Sequence, residues 1–266
     1  EPLERALGAR GPRALALSTG LGAASSSCSY AAVAIAKSLF QKGASLASAM
    51  AFQFASTNLV FEIGIVIWLF LGWQFTLAEF AGGLLLIVLM WIGVKLLVPR
   101  REEEQARAHA QAADSGHVHP TAGGSRILSL DSWTDVARNF RGDWVMLWRE
   151  ITLGFLIAGF VALLPMDFFN GLFLTDQGGA LQLIENVIVG PLVAVLSFVC
   201  SVGNIPLAAV LWAGGISFAG VIAFIYADLI IIPLILIYRR YYGWRLAAKL
   251  VAIMFGAMVL AALAVD

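Results

Sequence analysis

The sequence has little charge and almost no cysteine. Only 13% of its 266 residues are charged, and 17 Lys and Arg balance 17 Asp and Glu. A soluble domain usually carries about 25% charged residues, and a neutral chain has no electrostatic reason to bind nucleic acid.

Two cysteines, Cys28 and Cys200, are too few for a disulfide framework. No P-loop, HExxH or GxSxG motif occurs, so the sequence carries no signature of ATP binding or hydrolysis.

Apolar residues dominate what remains. They make up 60% of the chain, and the mean hydropathy is +0.86. A helix needs roughly 20 apolar residues to cross a bilayer, and several runs reach that length. We therefore expect an all-α polytopic membrane protein of the cell (inner or plasma) membrane, surrounded by the lipid bilayer. The apolar segments are 14–36, 44–72, 75–98, 144–165, 180–199, 203–213, 216–238 and 246–264.

A polar stretch divides the apolar segments into two groups. We expect a first membrane repeat at 1–98, truncated at its N-terminus, and a second at 144–266. Between them, 99–143 predicts a cytoplasmic loop, partly disordered and partly helical around "REEEQARAHAQAA". The three histidines, His109, His117 and His119, fall in this loop with unspecific spacing. A solvated loop is favoured over a metal site there, so no metal and no cofactor are expected.

Both cysteines stand in similar phrases, "ASSSCSY" at 24–30 and "SFVCSVGN" at 197–204. When the chain is shifted by 172 residues, Cys28-Ser29 falls on Cys200-Ser201 and further identities follow. These matches predict two copies of one structural unit. The first-copy residues that recur at this offset are Cys28, Ser29, Ala36, Leu39, Gly43, Ser45, Ala47, Ala51, Phe52 and Ala55.

Residues 25–29 predict a break between two helices. Three successive serines compete for backbone hydrogen bonds and so weaken a helix. Interrupted backbone at membrane depth is tolerated only where protein or a water-filled cavity surrounds it. We expect each copy to carry a broken, re-entrant-like helical hairpin that brings a Cys-Ser turn toward the bilayer midplane.

Basic residues lie before the spanning segment in the first copy and after it in the second. Lys42 precedes the spanning segment of the first copy, whereas Gly214 at the matching position has no charge nearby. The Gly-Trp turn that follows is uncharged at 72–73 but flanked by arginines at 243–244. Because Lys and Arg favour the cytoplasmic side, the copies are expected to have inverted topology. Inverted repeats with discontinuous helices are typical of transporters that bind substrate near the midplane.

Three stretches carry a resemblance to a known family: the phrase around Cys28-Ser29, "KGASLASAMAFQFAS" at 42–56, and "CSVGNIPLAAVLWAGGISFAGVIAFIYAD" at 200–228. The chain resembles the predicted permeases that include the organoarsenical efflux permease ArsP and the YraQ-like proteins. The resemblance implies efflux of a small substrate. The chain departs from the family pattern at 25–27, where members often carry Pro-Phe-Cys or a second cysteine.

The two Cys-Ser phrases supply the candidate substrate site. Thiolates favour soft partners, so two thiols related by a pseudo-twofold axis can share one thiophilic ligand. The alternative is that each buried cysteine behaves as a small hydrophobe, and that the polar neighbours only satisfy a helix break. The predicted substrate-binding residues are Cys28, Ser29, Cys200, Ser201, Gly203 and Asn204.

Ionisable groups inside apolar runs are costly and often functional. Asp228 in "IAFIYADLIII" aligns with Ser56, which lies near Asn58 and Glu62. These four residues are the candidates for ion or proton coupling, and the alternative is a structural role between helices. Glu185-Asn186 is a candidate lining pair near the second break. Lys37 and Lys42 are expected to extend to the cytoplasmic face.

The sequence thus predicts a permease for a small substrate that works by alternating access. The family resemblance implies that it is an exporter and that its substrate is thiophilic and organoarsenical-like. Assembly into a homo-oligomer is left open. One alternative is a non-transporting membrane scaffold whose polar loop recruits a partner. A membrane enzyme with a cysteine nucleophile is disfavoured, because all three histidines fall in the loop, away from either thiol. We therefore expect no enzymatic activity.

Overall fold

The structure is a computed structural model that describes residues 7–114, 133–134, 137, 141, 163, 165, 168, 171–173, 179–197 and 201–266. Cys200, His117 and His119 lie outside the described residues. Within these ranges the regular elements are helices. They are α1 (Pro12–Ser25), α2 (Ser29–Gln41), α3 (Leu46–Asn58), α4 (Phe61–Leu71), α5 (Trp73–Leu97), α6 (Arg100–Asp114), α7 (Ala180–Ser197), α8 (Ser201–Ala213), α9 (Phe218–Tyr226), a 3-10 turn (Ala227–Leu229), α10 (Ile232–Tyr242) and α11 (Trp244–Val265).

The chain is an all-α polytopic membrane protein, as its composition predicts. Three helices, α5, α7 and α11, are long and apolar enough to cross a bilayer. Two more spans arise if each of two bent pairs is counted as one. α3 and α4 meet at 45°, and α9 with its 3-10 turn meets α10 at 44°. The apolar segments 44–72 and 216–238 are therefore each interrupted near their middle, which their composition did not predict.

Glycine and serine define where the central helices of each half begin. Gly43 and Gly215 adopt positive φ angles of 106° and 92° in the turns before α3 and α9. Ser45 and Ser217 then cap the two helices, each accepting a backbone N–H at 3.2 Å from the residue three positions on. A serine at this position satisfies an N–H that has no partner within the helix.

Helices of the second half repeat the bounds of the first at a nearly constant offset. α2 spans 29–41 and α8 spans 201–213, so both ends differ by 172 residues. α4 spans 61–71 and α10 spans 232–242, so both ends differ by 171. Gly72 and Gly243, each with positive φ, separate these helices from α5 and α11. The offset between the two halves thus changes from 172 to 171 residues at the bend within each pair, between α3 and α4 and between α9 and α10.

One end of the helix bundle, which we call the α6 end, is closed by polar contacts to α6. Arg107 donates to the backbone oxygens of Phe40 at 3.0 Å and Ala44 at 2.8 Å. Glu103, almost fully buried, accepts from the backbone N–H of Leu46 at 2.9 Å. The stretch that the sequence predicted to be partly helical is therefore a docked helix at Arg100–Asp114.

α6 also contacts the second half of the chain. His109 hydrogen-bonds the backbone oxygen of Arg240 at 3.2 Å, and Lys249 forms an ion pair with Glu102 at 2.7 Å. The turn after α2 and the turn between α10 and α11 therefore lie at the same end of the molecule.

The opposite end, which we call the aromatic end, is closed by rings. Phe75, near the start of α5, packs on Trp212 and Phe218 with ring centroids 5.1 and 4.4 Å apart. Asp266, after α11, accepts from the backbone N–H of Ala219 at 3.2 Å. α5 thus runs from the aromatic end to the α6 end. Its counterpart α11 runs the other way, and the two helices pack against each other.

Candidate functional site

The predicted break in the first copy is confirmed at residues 26–28. Ser26 has the left-handed backbone angles φ 42° and ψ 57°, which end α1. Cys28 is extended and precedes the first turn of α2. α3 and α4 hold the broken segment in place: Ser27 N donates to Ser56 O at 3.2 Å, and the Ser26 hydroxyl donates to Glu62 at 3.0 Å.

Immediately after the break, three side chains from both halves of the chain meet. The hydroxyl oxygens of Ser29 and Ser201 lie 2.9 Å apart. Ser29 donates to Asp228 Oδ2 at 3.1 Å, and Ser201 donates to the same oxygen. We call these three residues the Ser–Asp cluster. It lies where α2, α8 and the 3-10 turn after α9 converge.

Burial makes the Ser–Asp cluster chemically unusual. Asp228 and Ser29 are 1% and 3% exposed. Hydrogen bonds from hydroxyl groups stabilise a carboxylate removed from water. A buried carboxylate with rotatable hydroxyl donors can exchange a donor for a proton, a cation or a polar group of a ligand. Among the described residues no group of three or more His, Cys, Asp or Glu side chains is placed to hold a metal ion.

The remaining predicted substrate residues lie around this cluster without joining it. Cys28 is exposed, although the neighbouring Ser29 is buried. Gly203 is half-buried within the first turn of α8 rather than in a break. Asn204 is fully buried one turn beyond Ser201, and neither polar atom of its amide has a hydrogen-bond partner among the described residues. The position of Cys200 relative to Cys28 lies outside the described residues.

The predicted coupling residues divide between two environments. Asp228 belongs to the Ser–Asp cluster, whereas Ser56 is buried on α3 and donates to Gln53 O at 2.9 Å. Asn58 is buried, with its amide nitrogen unpartnered within the described part of the chain. Glu62 is exposed at the start of α4 and accepts from the broken segment. Ser56, Glu62 and Asp228 thus contact the first break or the residue that follows it, from α3, α4 and the 3-10 turn.

The other polar candidates have structural contacts. The Asn186 amide, oriented to satisfy both of its polar atoms, accepts from Ser217 N at 2.9 Å and donates to Glu185. This places the pair at the start of α9, away from the Ser–Asp cluster. Lys37 lies 4.5 Å from the centroid of the Tyr241 ring, and Lys42 is exposed.

Sequence reasoning missed a buried carboxyl group on one of the spanning helices. Glu79 on α5 is 0% exposed. A signal for it was present, because Glu79 is the only charged residue of "WQFTLAEFAGGLLLIVLMWIGVKLL" apart from Lys95 near its end. An isolated acid inside a spanning helix is a functional candidate by its cost alone.

Comparison with known proteins identifies a family and a relative of this chain. A family described as "Predicted permease" matches residues 1–266. A protein of Mycobacterium tuberculosis named "Putative permease Rv2963" is 47% identical over 267 residues, which cover 96% of this chain. The chain spans 66% of the length of that relative. No solved structure matches the chain.

Proposed function

Since this chain belongs to the predicted permease family, we propose that it exports a small, thiophilic, organoarsenical-like substrate from the cell across the inner membrane. Transport follows alternating access, with two inverted repeats rocking about a site between them. The Ser–Asp cluster is the observation that carries this proposal, because it joins equivalent serines of the two repeats on one buried carboxylate.

The end contacts of the helices support the inverted arrangement. At the α6 end lie the turn after α2 from the first repeat and the turn between α10 and α11 from the second. At the aromatic end, Phe75 brings the turn between α4 and α5 against Trp212 and Phe218, which flank the turn between α8 and α9. Equivalent turns therefore lie at opposite ends, as expected when one repeat is inverted relative to the other.

The α6 end is the cytoplasmic end in this proposal. It carries Arg107 and Lys249 in its contacts, together with the arginines of "YRRYYGWR". Basic residues near the ends of spanning helices favour the cytoplasmic side. The aromatic end then faces away from the cytoplasm, in the direction of export.

Substrate binding is assigned to the two Cys-Ser phrases. Cys28 is exposed, so its thiol is open to a soft electrophile such as a trivalent organoarsenical. The adjacent Ser29 links that turn to Asp228. A ligand that binds Cys28 and displaces a serine hydroxyl leaves Asp228 with one donor fewer, which favours uptake of a proton by the carboxylate. This links substrate occupancy to proton exchange, with Ser56, Asn58 and Glu62 around the same break.

The test is arsenical resistance and cellular arsenic content in a sensitised bacterium that expresses the full-length gene. Trivalent methylarsenite and phenylarsenite serve as probes. Wild type is compared with Cys28→Ser, Ser201→Ala and Asp228→Asn, and the exposed Ser38→Ala on α2 is the matched control. Hydrogen bonds to charged groups contribute about 1.5–3 kcal/mol, so Ser201→Ala is expected to slow export about tenfold or more, with Asp228→Asn at least as severe.

The outcomes separate the parts of the proposal. If wild type lowers cellular arsenic and Cys28→Ser abolishes this at equal expression, a thiophilic substrate is supported. If wild type has no effect on either arsenical, the substrate assignment is wrong. If wild type exports and the Cys28, Ser201 and Asp228 variants all behave like Ser38→Ala, the substrate site lies elsewhere.

A further inference from the structure

Glu79 is the least compensated acid of the described chain. It lies in the second turn of α5, is 0% exposed, and neither carboxyl oxygen has a hydrogen-bond partner among the described residues. An ionised carboxylate in such a place costs several kcal/mol. The uncharged acid avoids most of that cost. The geometry therefore favours a carboxyl group that holds its proton in this conformation.

The fold places Glu79 beside the turn that carries Asp228. The hydroxyl of Tyr226, at the end of α9, donates to the backbone oxygens of Ala78 at 2.9 Å and Glu79 at 3.3 Å. Gly82 makes this contact possible, since a Cβ at that position would lie 2.2 Å from the Tyr226 hydroxyl oxygen. Asp228 follows Tyr226 by two residues, in the 3-10 turn that continues α9, so the two acids belong to elements that contact each other through Tyr226.

The two acids differ in their hydrogen bonds. Asp228 accepts from two serine hydroxyls, which stabilise its ionised form. Glu79 accepts from none within the described part of the chain. When two carboxyl groups lie within reach of each other's charge, the one that accepts more hydrogen bonds ionises and the other keeps its proton. In this conformation Asp228 is the base of the pair, and Glu79 is the acid.

Among the described residues, no basic side chain on the helices that pack against α5 is placed to pair with Glu79, and Asp266, which follows α11, accepts from the backbone N–H of Ala219. α3, α4, α9 and α11 pack against α5. α3 and α9 contain no charged residue. On α4, Glu62 is exposed and contacts Ser26. On α11, Lys249 pairs with Glu102, and Arg245 is exposed near the helix start.

The repeated architecture shows that packing does not require either acid. Glu79 is seven residues after Gly72, and the residue seven after Gly243 is Leu250, which is fully buried. At the position of Asp228 the first repeat has Ser56. The same helices therefore form with a leucine and a serine in these places. The acids occur once each, in non-equivalent positions of the two halves.

We propose that Glu79 is a proton-binding site that shares one proton with Asp228, so that the pair carries a single negative charge. When the Ser–Asp cluster loses a donor, the proton passes from Glu79 to Asp228, and Glu79 becomes the group that takes up the next proton. This inference rests on the proposed function for its role in transport, but the existence of a protonated Glu79 does not.

The test uses the purified full chain in lipid nanodiscs and dicyclohexylcarbodiimide, an apolar reagent that adds to protonated carboxyl groups. Labelling of each carboxyl is measured by peptide mass spectrometry across a pH series. At neutral pH the Glu79 peptide is expected to be labelled several-fold more than the peptide of Glu104, which is exposed on α6. Asp228→Asn removes the neighbouring charge, so labelling of Glu79 is expected to decline at a less alkaline pH than in wild type.

Glu79→Gln provides the specificity control, since its peptide has no acid to react. If the Glu79 peptide of wild type is labelled no more than the Glu104 peptide at any pH, the proposal is overturned, and this result needs no variant to fold. If labelling occurs but Asp228→Asn leaves its pH profile unchanged, the shared proton is overturned. None of these readouts involves an arsenical, so failure of the export assay leaves the result unaffected.

Discussion

At the scale of single residues, small side chains decide how closely the helices approach. Gly22 on α1 faces α3, where a Cβ would lie 2.4 Å from the Phe52 backbone oxygen and 2.9 Å from the Ala55 Cβ. Gly190 on α7 faces α9 in the second half, where a Cβ would lie 2.6 Å from the Gly220 oxygen. Lipid tails are as apolar as the helices, so the hydrophobic effect does not drive helices together in a bilayer. Van der Waals contacts between closely packed backbones stabilise the helix pairs instead.

Gly22→Ala is therefore expected to destabilise the protein by about 1–3 kcal/mol, because the added methyl group has no space between α1 and α3. Gly20→Ala is the matched control, since a Cβ there meets no atom within 4 Å. Thermal unfolding in detergent measures both variants. Equal midpoints for Gly22→Ala and Gly20→Ala would mean that α1 does not pack on α3 as described.

The Ser–Asp cluster gives a second prediction at this scale. Ser29→Ala and Ser201→Ala each remove one donor from the same oxygen of Asp228. Each is expected to cost about 1.5–3 kcal/mol of stability at neutral pH. The double variant is expected to depart from additivity by about 0.5–3 kcal/mol, because the two serines also contact each other. Additive unfolding free energies would show that the hydroxyls act independently.

Residue patterns predicted part of this site. The serine run predicted the break, and the repeated Cys-Ser phrases predicted that Ser29 and Ser201 occupy equivalent places. The link from these serines to Asp228 was not predicted, because the pairing joins three helix ends distant in sequence. From the sequence, Asp228 was grouped with Ser56 because the two residues align in the repeats. Alignment shows that two positions are equivalent in the two copies, not that they contact each other.

At the scale of elements, helix interiors were easier to predict than bends. The interruptions after Asn58 and Leu229 fall in apolar sequence, "NLVFE" and "LIIIP". The first contains neither glycine nor proline, so no local signal marks it. α6 shows the converse case. Its composition predicted a helix, but its docking depends on Glu103 and Arg107 meeting backbone groups of a distant turn.

Docking of α6 is expected to depend on those two side chains. Arg107→Lys cannot hydrogen-bond Phe40 and Ala44 together through a planar guanidinium, and Glu103→Ala leaves the Leu46 N–H unpartnered. Either change is expected to raise amide hydrogen exchange in 100–114 at least several-fold. Glu104→Ala is the control, since its side chain is exposed. If exchange in all three variants matches wild type, these contacts do not hold α6.

At the scale of the whole molecule, the charge pattern predicted inverted orientations, and the end contacts of α5 and α11 support that prediction. The sequence alone did not provide those contacts. Phe75, Trp212 and Phe218 come from three separate segments, and aromatic residues are common throughout the chain. Their convergence depends on the packing of the two halves.

Lys42 and Gly214 are equivalent positions in the two repeats, and they provide a direct test of orientation. In a background with Cys28 and Cys200 replaced by serine, Lys42→Cys is expected to react with an impermeant maleimide only from the cytoplasmic side. Gly214→Cys is expected to react in intact cells. Labelling of both positions from the same side would rule out inversion. Arg101→Cys, at an exposed position of α6, is the control for the α6 end, which the proposed orientation places in the cytoplasm.

The ring contacts at the aromatic end have a thermodynamic consequence. Separating Phe75 from Trp212 and Phe218 exposes apolar surface to water, which carries a positive heat-capacity change. Separating α6 from its partners instead exposes charged and peptide groups, whose hydration changes heat capacity in the opposite sense. In the proposed alternating-access cycle, the equilibrium between the two open forms should therefore give a curved van't Hoff plot. Salt should shift this equilibrium mainly through the charged contacts of the α6 end.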